Sequence, residues 1–395
     1  MSWKGRGLID SPERGAAGRL KVCVATWAPF LGGAEIGAER VGVGLQAAGH
    51  EVFVVVGQRG AVLERFQQAG LRCVYSPIYL TDKWHGWRYL RARNAMRRML
   101  RHERPDVIHS NDLPTHQMMS DAARGLGIPR VTYHKFPFDG PAIDWMNKFG
   151  AERHLFVSRG LMDEMCAASP RLRASSCAVV HDGLALPSEP SAADRRAARA
   201  ALALPLDKTI VLFVGQIIER KGVADLLQAW SQLPAEVRES AQLVLLGDAP
   251  ADQVQYKQEM LALTARLGLP VSFPGFQADV PAWLTAADVM VLPSHADPLP
   301  LAIMEAMAYG LPVIAAAVTG IPEMVEHEQN GLLVPPRCPA ELADALAVLL
   351  VHGERRRQYG AEGRQRCQER FNIQLQVPQL VEEYRRLLDG RSHSC

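Results

Sequence analysis

The sequence predicts an α/β protein made of two parallel-sheet halves, and three observations predict it. Short β-branched runs alternate with longer helix-forming stretches along the whole chain, the pattern of successive β–α–β units. A strand, a glycine turn and a helix follow one another at the start of each half, once through LKVCVAT to Gly32-Gly33 and again through TIVLFV to Gly215 and Lys221-Gly222. The length of 395 residues is long for one domain and suits two α/β domains, each with its own core.

Composition narrows the class. Hydrophobic residues at 48%, charged residues at 22% and a formal charge of +2 describe a globular protein with no whole-molecule attraction to nucleic acid. No apolar run approaches the length of a membrane span, and residues 1–18 read as a disordered leader without the apolar core of a signal peptide, so a cytoplasmic protein is expected. The seven cysteines are scattered, odd in number and free of any C-x-x-C pair, which argues against a metal site and a disulfide framework.

The first half is expected over residues 19–185. Residues 20–26 form its first strand, and Gly32-Gly33 turn into a helix opening with Ala34-Glu35. Glycine lets a phosphate approach the backbone there, and the helix start presents the positive end of its dipole. Strands at 51–56 and 72–75 flank a helix from about Ala61, and an arginine-rich helix follows at 84–104. Strands at 106–109 and 130–134 end in His109 and His134, at the sheet edge where side chains of parallel sheets face a crevice. His134 is the better placed for a role in that crevice; His109 is left between a structural and a site role, and His116 reads as structural. A last strand at 153–157 leads to Ser158, a short strand at 177–180 to His181-Asp182-Gly183. A shift to Pro, Ser, Ala and Arg over 186–206 sets the boundary near Ala185.

The second half, residues 186–372, repeats the logic, and residues 373–395 form a final helix. After the strand at 209–214, Arg220 and Lys221 stand beside a helix start. Two cations there oppose the helix dipole unless an anion is present, so Lys221 reads as a phosphate ligand. Strands at 242–246 and 271–274 follow, the second leading to Gly275-Phe276. The stretch that concentrates chemistry is the strand 288–292, the loop PSHADPLP, a helix ending at Gly310-Leu311-Pro312, and the strand 313–317. A helix start at the carboxyl end of a parallel strand suits a phosphate, with the amides of Leu299 and Leu301 turned to it and Asp297 and Glu305 bracketing the ligand. A plain cap at Asp297 and a solvated Glu305 are the alternative. Helices at 339–368 and 374–389 close the chain.

The D-x7-E of Asp297 and Glu305, followed by A-M-A-x-G-L-P-V-I, resembles the E-x7-E signature of the family-4 glycosyltransferases, retaining enzymes of the two-domain GT-B fold in which two Rossmann-like domains face a cleft. The resemblance extends over most of the chain, through G-G-x-E at Gly32, T-Y-H-K-F at Thr132, V-S at Val157, and G-L-L-V-P after Asn330. It implies that Glu305 holds the ribose of a sugar nucleotide and Asp297 contacts the donor sugar. It also implies that Gly33 and Lys221 meet the diphosphate, that His134 lies near the donor sugar and acceptor, and that Phe276 borders the base, with ordinary packing as the alternative for Phe276. The final helix would cross back onto the first domain. Two positions depart from the pattern. Asp297 replaces a glutamate and reaches one methylene less far. Gln216 stands where G-R-x4-K-G has its arginine, exchanging a bidentate guanidinium for a neutral amide.

The expected function is transfer of a hexose-type sugar from a nucleoside-diphosphate sugar to a hydroxyl acceptor, glycan or lipid-linked, in cell-surface glycan or glycolipid synthesis. His134, Asp297 and Lys221 are the expected catalytic residues, with neither metal nor cofactor. A non-catalytic sugar-nucleotide-binding relative and a sugar-nucleotide epimerase remain as alternatives, and acceptor contacts are expected from 81–86 and 136–144. The 84–104 helix carries seven arginines and begins with Trp84 and Trp87. It reads as a solvated helix packed by its apolar stripe, or as a peripheral contact with an anionic inner membrane face.

Overall fold

A computed structural model of the chain describes residues 18–27, 31–79 and 86–392. The expected leader up to residue 17 and the 81–85 segment with Trp84 lie outside the described residues. The first half is a seven-stranded sheet of β1 (Lys21–Thr26), β2 (Glu51–Val56), β3 (Arg72–Tyr75), β4 (Val107–Ser110), β5 (Arg130–His134), β6 (Arg153–Phe156) and β7 (Cys177–Val179), in the order β3-β2-β1-β4-β5-β6-β7. The second is a six-stranded sheet of β8 (Thr209–Val214), β9 (Ala241–Leu246), β10 (Val271–Gly275), β11 (Val289–Leu292), β12 (Val313–Ala316) and β13 (Gly331–Val334), in the order β10-β9-β8-β11-β12-β13. All pairings are parallel, as the alternating pattern predicts. Both sheets reverse their winding beside the first strand, between β1 and β4 and between β8 and β11, which opens a crevice at the carboxyl edge.

Sequence and position in the sheet agree. The central strands β4, β11 and β12 are buried at every residue and carry continuous apolar runs apart from His109 and Ser110, because helices cover both faces. The outer strands β3 and β10 have no buried residue. The arginine-rich helix is Gly86–Glu103, and its Tyr89, Ala92, Met96 and Leu100 are buried against the first sheet's core. The stretch expected as one helix from 339 to 368 is two, Pro339–Val351 and Gly353–Arg370, broken at His352.

Chain crossings and side chains tie the halves together. Outgoing Leu184 and returning Asn372-Ile373 run side by side, Leu184 N–H donating to Phe371 O at 2.9 Å and Ile373 N–H to Leu184 O at 3.0 Å. The last helix, Ile373–Ser392, then lies against the helix Gly33–Ala47 of the first half. Its fully buried Tyr384 hydroxyl is 2.6 Å from His109 Nδ1, and Gln376 Oε1 accepts the Gly183 N–H at 2.9 Å. A second tie is the Glu323 carboxylate, which accepts the N–H groups of Arg159 (3.0 Å) and Gly160 (2.9 Å) and lies 2.8 Å from His181 Nε2. The two backbones press together here: a Cβ on Gly160 would lie 2.2 Å from Thr319 O, so no larger residue fits.

Candidate active site

A cavity of about 540 Å³ opens between the halves at the carboxyl edges of β1, β4, β8 and β11. From the second half it is lined by Gly215, Gln216, Arg220, Lys221, Asp297, Leu299, Leu301 and Glu305, and from the first by Gly33, Glu35, Asp112, Lys135 and Asp182 among others. The loop after β8 places Lys221 through a short 3₁₀ turn, Glu219–Lys221, that ends in Gly222 at φ +69. Only glycine fits there, since a Cβ would be 2.0 Å from Pro293 O as well as strained. The same approach locks the loop after β8 to the loop after β11, where His295 N–H donates to Arg220 O at 2.7 Å and His295 Nε2 meets Asp225 at 2.6 Å. Lys221 thereby reaches the Asp297 carboxylate, which also accepts the Ser294 hydroxyl at 3.2 Å.

The helix Leu301–Ala308 starts at the cavity with Pro300 as its N-cap, one position before the first helical residue. It has neither a capping side chain nor an acidic residue in its first turn, so the positive end of its dipole faces the cavity unanswered. The helix Gly33–Ala47 enters from the opposite half, and a Cβ on Gly33 would lie 3.7 Å from Leu301 Cδ1. The starts of two helices from opposite halves thus meet in the cavity that Arg220 and Lys221 line; the Leu301–Ala308 start, with no acidic residue in its first turn, is the one suited to an anion, while the Gly33–Ala47 start carries Glu35. Glu305, on the Leu301–Ala308 helix, is held at 2.5 Å by Arg40 of the Gly33–Ala47 helix.

Of the residues expected from sequence, the cavity gathers Gly33, Gln216, Lys221, Asp297, Leu299, Leu301 and Glu305. Phe276 is not among its lining residues; it follows β10 with its side chain 69% exposed. The expectation that His134 faces the crevice is corrected. The ring is buried, stacked on Phe156 with centroids 4.7 Å apart, and its Nε2 lies 3.1 Å from His154 Nδ1. Strand alternation explains the difference, because His134 shares the sheet face of Thr132, which meets His116, while the next residue, Lys135, turns into the cavity. Burial, with His154 and His116 nearby, pushes the His134 pKa well below its usual value and keeps the ring neutral. Burial likewise lowers the pKa of His109 to about 3, and its bond to Tyr384 gives it the structural role.

The family described as Glycosyl transferases group 1 matches residues 194–366, and that described as Glycosyltransferase Family 4 matches residues 31–186. The chain belongs to this glycosyltransferase family. Among its relatives, the alpha-maltose-1-phosphate synthase of Mycolicibacterium smegmatis is 34% identical over 255 residues, 60% of this chain and 64% of that one. A D-inositol 3-phosphate glycosyltransferase of Xylanimonas cellulosilytica is 38% identical over 183 residues, 45% of this chain and 42% of that one. The chain therefore matches about half the length of these curated relatives. Anabaena HepE, solved with UDP and glucose, superposes with a TM-score of 0.82 over 92% of this chain and 99% of that one, at 22% identity, and shares the GT-B fold.

Within this family fold, several cavity residues carried no signal in the sequence. Lys135 and Asp182 form a buried ion pair with contacts of 2.6 and 2.7 Å, and Asp182 also accepts from the Tyr133 hydroxyl and Gln376 Nε2, each at 3.1 Å. Asp112 caps the helix Leu113–Ala123 through Thr115 N–H at 2.8 Å and reaches Trp27 N–H at 2.9 Å. Burial raises the pKa of Asp112 and of Glu35. For Asp112 a signal was available but went unread, an Asp one residue before the Leu-Pro that opens a helix. Among the described residues no group of three His, Cys, Asp or Glu side chains is placed to hold a metal ion.

Proposed function

We propose that the chain is a retaining glycosyltransferase that moves a hexose-type sugar from a nucleoside-diphosphate sugar to a hydroxyl acceptor. The observation that carries this reading is the Leu301–Ala308 helix start, without an acidic residue in its first turn, sharing with Arg220, Lys221 and the Gly33 turn a cavity large enough for a sugar nucleotide. Anabaena HepE, of the same fold, was solved with UDP-glucose, which supports a nucleotide-sugar donor. On this reading the diphosphate lies against Lys221, the Gly33 turn and the Leu299 and Leu301 amides, with Gln216 offering an amide in place of a guanidinium. Glu305 shares its Arg40 partner with the ribose hydroxyls, Asp297 faces the donor sugar, and the exposed Phe276 ring offers a face to the base. Negative charge gathers on the departing phosphate oxygen, and the fixed cations and amides stabilise it without reorganising. Retention is carried over from the resemblance, as attack on the face from which the diphosphate leaves.

Cell-surface glycan or glycolipid synthesis at the cytoplasmic side of a membrane is part of the proposal. Among the described residues no helix is long and apolar enough to cross a membrane. The Gly86–Glu103 helix supports peripheral contact instead, because Trp87 is 61% and Leu90 48% exposed beside the exposed Arg88, Arg91, Arg98 and Arg101. The decisive experiment titrates nucleoside diphosphates by thermal shift and then follows diphosphate release from the matching sugar nucleotides with an acceptor panel. A ligand at a hundred times its dissociation constant stabilises by about 2.7 kcal/mol. Failure to bind any nucleoside diphosphate would reject the donor site, and tight binding without turnover would favour the non-catalytic relative.

A further inference from the structure

The two walls of the cavity differ in how their positive features are answered. On the second wall Lys221 is paired with Asp297, but the first turn of the Leu301–Ala308 helix has no acidic residue, and among the described residues Arg220 donates to a backbone carbonyl, Ala296 O at 3.4 Å, and not to a carboxylate. On the first wall every positive feature among the described residues already has its own carboxylate. Lys135 is held by Asp182 with side chains 4% and 5% exposed. The Gly33–Ala47 helix carries Glu35 in its first turn, 4% exposed and accepting Gly32 N–H at 3.0 Å. The Leu113–Ala123 helix carries Asp112 at its N-cap. The remainder of this wall is apolar, with Trp27, Leu31, Ile36, Leu113, Phe136 and Phe138 on the cavity and Phe136 44% exposed.

We propose that the acceptor is an uncharged hydroxyl compound that presents an apolar face to the first wall, and not a phosphate ester or a carboxylate. This rests on the donor reading of the second wall, since a diphosphate seated there leaves the first wall to the other reactant. An anionic acceptor would find Lys135 and both helix starts of this wall already answered by Asp182, Glu35 and Asp112, so no cation lining it is free to offset the cost of desolvating the anion, and that opposes binding. The apolar face of a sugar ring or a hydrocarbon chain instead replaces water on the aromatic surface. In the transfer, the acceptor oxygen bonds to the anomeric carbon as the bond from that carbon to the phosphate oxygen breaks. The bonding pair stays on the diphosphate, which takes up the hydroxyl proton, so no first-wall carboxylate is consumed.

The test uses the full chain loaded with the nucleoside diphosphate it binds best. Octyl glucoside (below its micelle concentration), methyl glucoside and glucose 6-phosphate are titrated by ligand-observed NMR, and transfer to each is followed with the sugar nucleotide. Both neutral glucosides should bind and react at least about tenfold better than the phosphate ester. An octyl advantage over methyl identifies a hydrocarbon chain as the source of the apolar face, and equality identifies the sugar ring. Preference for glucose 6-phosphate, parity among all three, or binding of none overturns the proposal while leaving the donor site standing. Absence of nucleoside diphosphate binding removes the donor reading and the proposal with it. Glu35→Gln should raise the ratio of phosphate-ester to neutral-acceptor binding severalfold, a ratio that a general loss of activity does not move; an unchanged ratio overturns the charge argument.

Discussion

Replacing Asp297 by Asn tests the site through two effects of opposite sign. The Asp297 and Lys221 side chains are only 9% and 12% exposed, and the pair is completed by the Ser294 hydroxyl at 3.2 Å. Asn keeps the shape and removes the charge, which strands a mostly buried ammonium. Breaking a buried pair from one side costs about 3 to 5 kcal/mol, and the residual exposure places this site near about 3 kcal/mol. For a domain of this size that lowers the unfolding midpoint by about 6 to 12 °C. A bound diphosphate supplies the missing anion, so much of the loss returns as affinity. At about 1.4 kcal/mol per factor of ten, Asp297→Asn should bind the nucleoside diphosphate up to about a hundredfold more tightly than the wild type. Turnover of the sugar nucleotide should fall, because the contact with the sugar is gone. Thermal unfolding with and without ligand, paired with calorimetric titration, reads both effects. A variant that is destabilised yet binds the diphosphate no better than the wild type would refute the placement of Lys221 against the phosphates.

Gln216→Arg should strengthen diphosphate binding by about 1 to 3 kcal/mol and make it more salt-sensitive; weaker binding would mean that the loop has rebuilt its phosphate contacts. His134→Ala should cost about 2 to 4 kcal/mol of stability through the lost packing on Phe156, with diphosphate affinity unchanged, and a fall in kcat at unaltered stability would contradict the buried placement. The interdomain tie should be acid-labile: burial alone would raise the Glu323 pKa, but hydrogen bonds from His181, Gly160 and Arg159 outweigh it and hold the carboxyl below its usual value. A folded pKa below the unfolded one contributes stability above about pH 4.3 that is lost as pH falls through the folded value. Glu323→Gln should therefore flatten the acid limb of a melting-temperature profile, and an unaltered limb would count against the tie. Exchanging Arg91, Arg98 and Arg101 together for Gln should weaken salt-sensitive co-sedimentation with anionic vesicles; equal sedimentation with neutral vesicles would leave the helix as scaffold.

The sheets were legible because each core strand is a short run of apolar residues between turn-forming ones, which local pattern captures. The second-half site was legible for a related reason: Lys221, Asp297 and Glu305 sit within a few residues of the glycines and prolines that shape their loops. Of the first-half contribution only the Gly33 turn was legible. Lys135 and Asp182 are 47 residues apart, and nothing local to either announces the ion pair. His134 was placed one step wrongly because strand ends fix which edge a residue reaches, while alternation decides whether it or Lys135 enters the cavity. Glu305 was read as a ligand contact or a solvated side chain, since a partner such as Arg40, 265 positions away, appears only when the two halves face each other. The break at His352 was missed because helix-forming residues continue on both sides of it.

The returning helix Ile373–Ser392 has a consequence for biosynthesis. The first domain leaves the ribosome first, yet the hydroxyl that lies against His109 and the amide that holds Gly183 belong to Tyr384 and Gln376, translated after both sheets. Domains generally fold as units in the order of their synthesis. Here the earlier unit stays unfinished while the later one is made, with a buried histidine still lacking its partner and the outer side of the Gly33–Ala47 helix still wet. The second domain, whose strands and site loops are complete by Arg370, can mature before the first, so the order of completion runs against the order of translation.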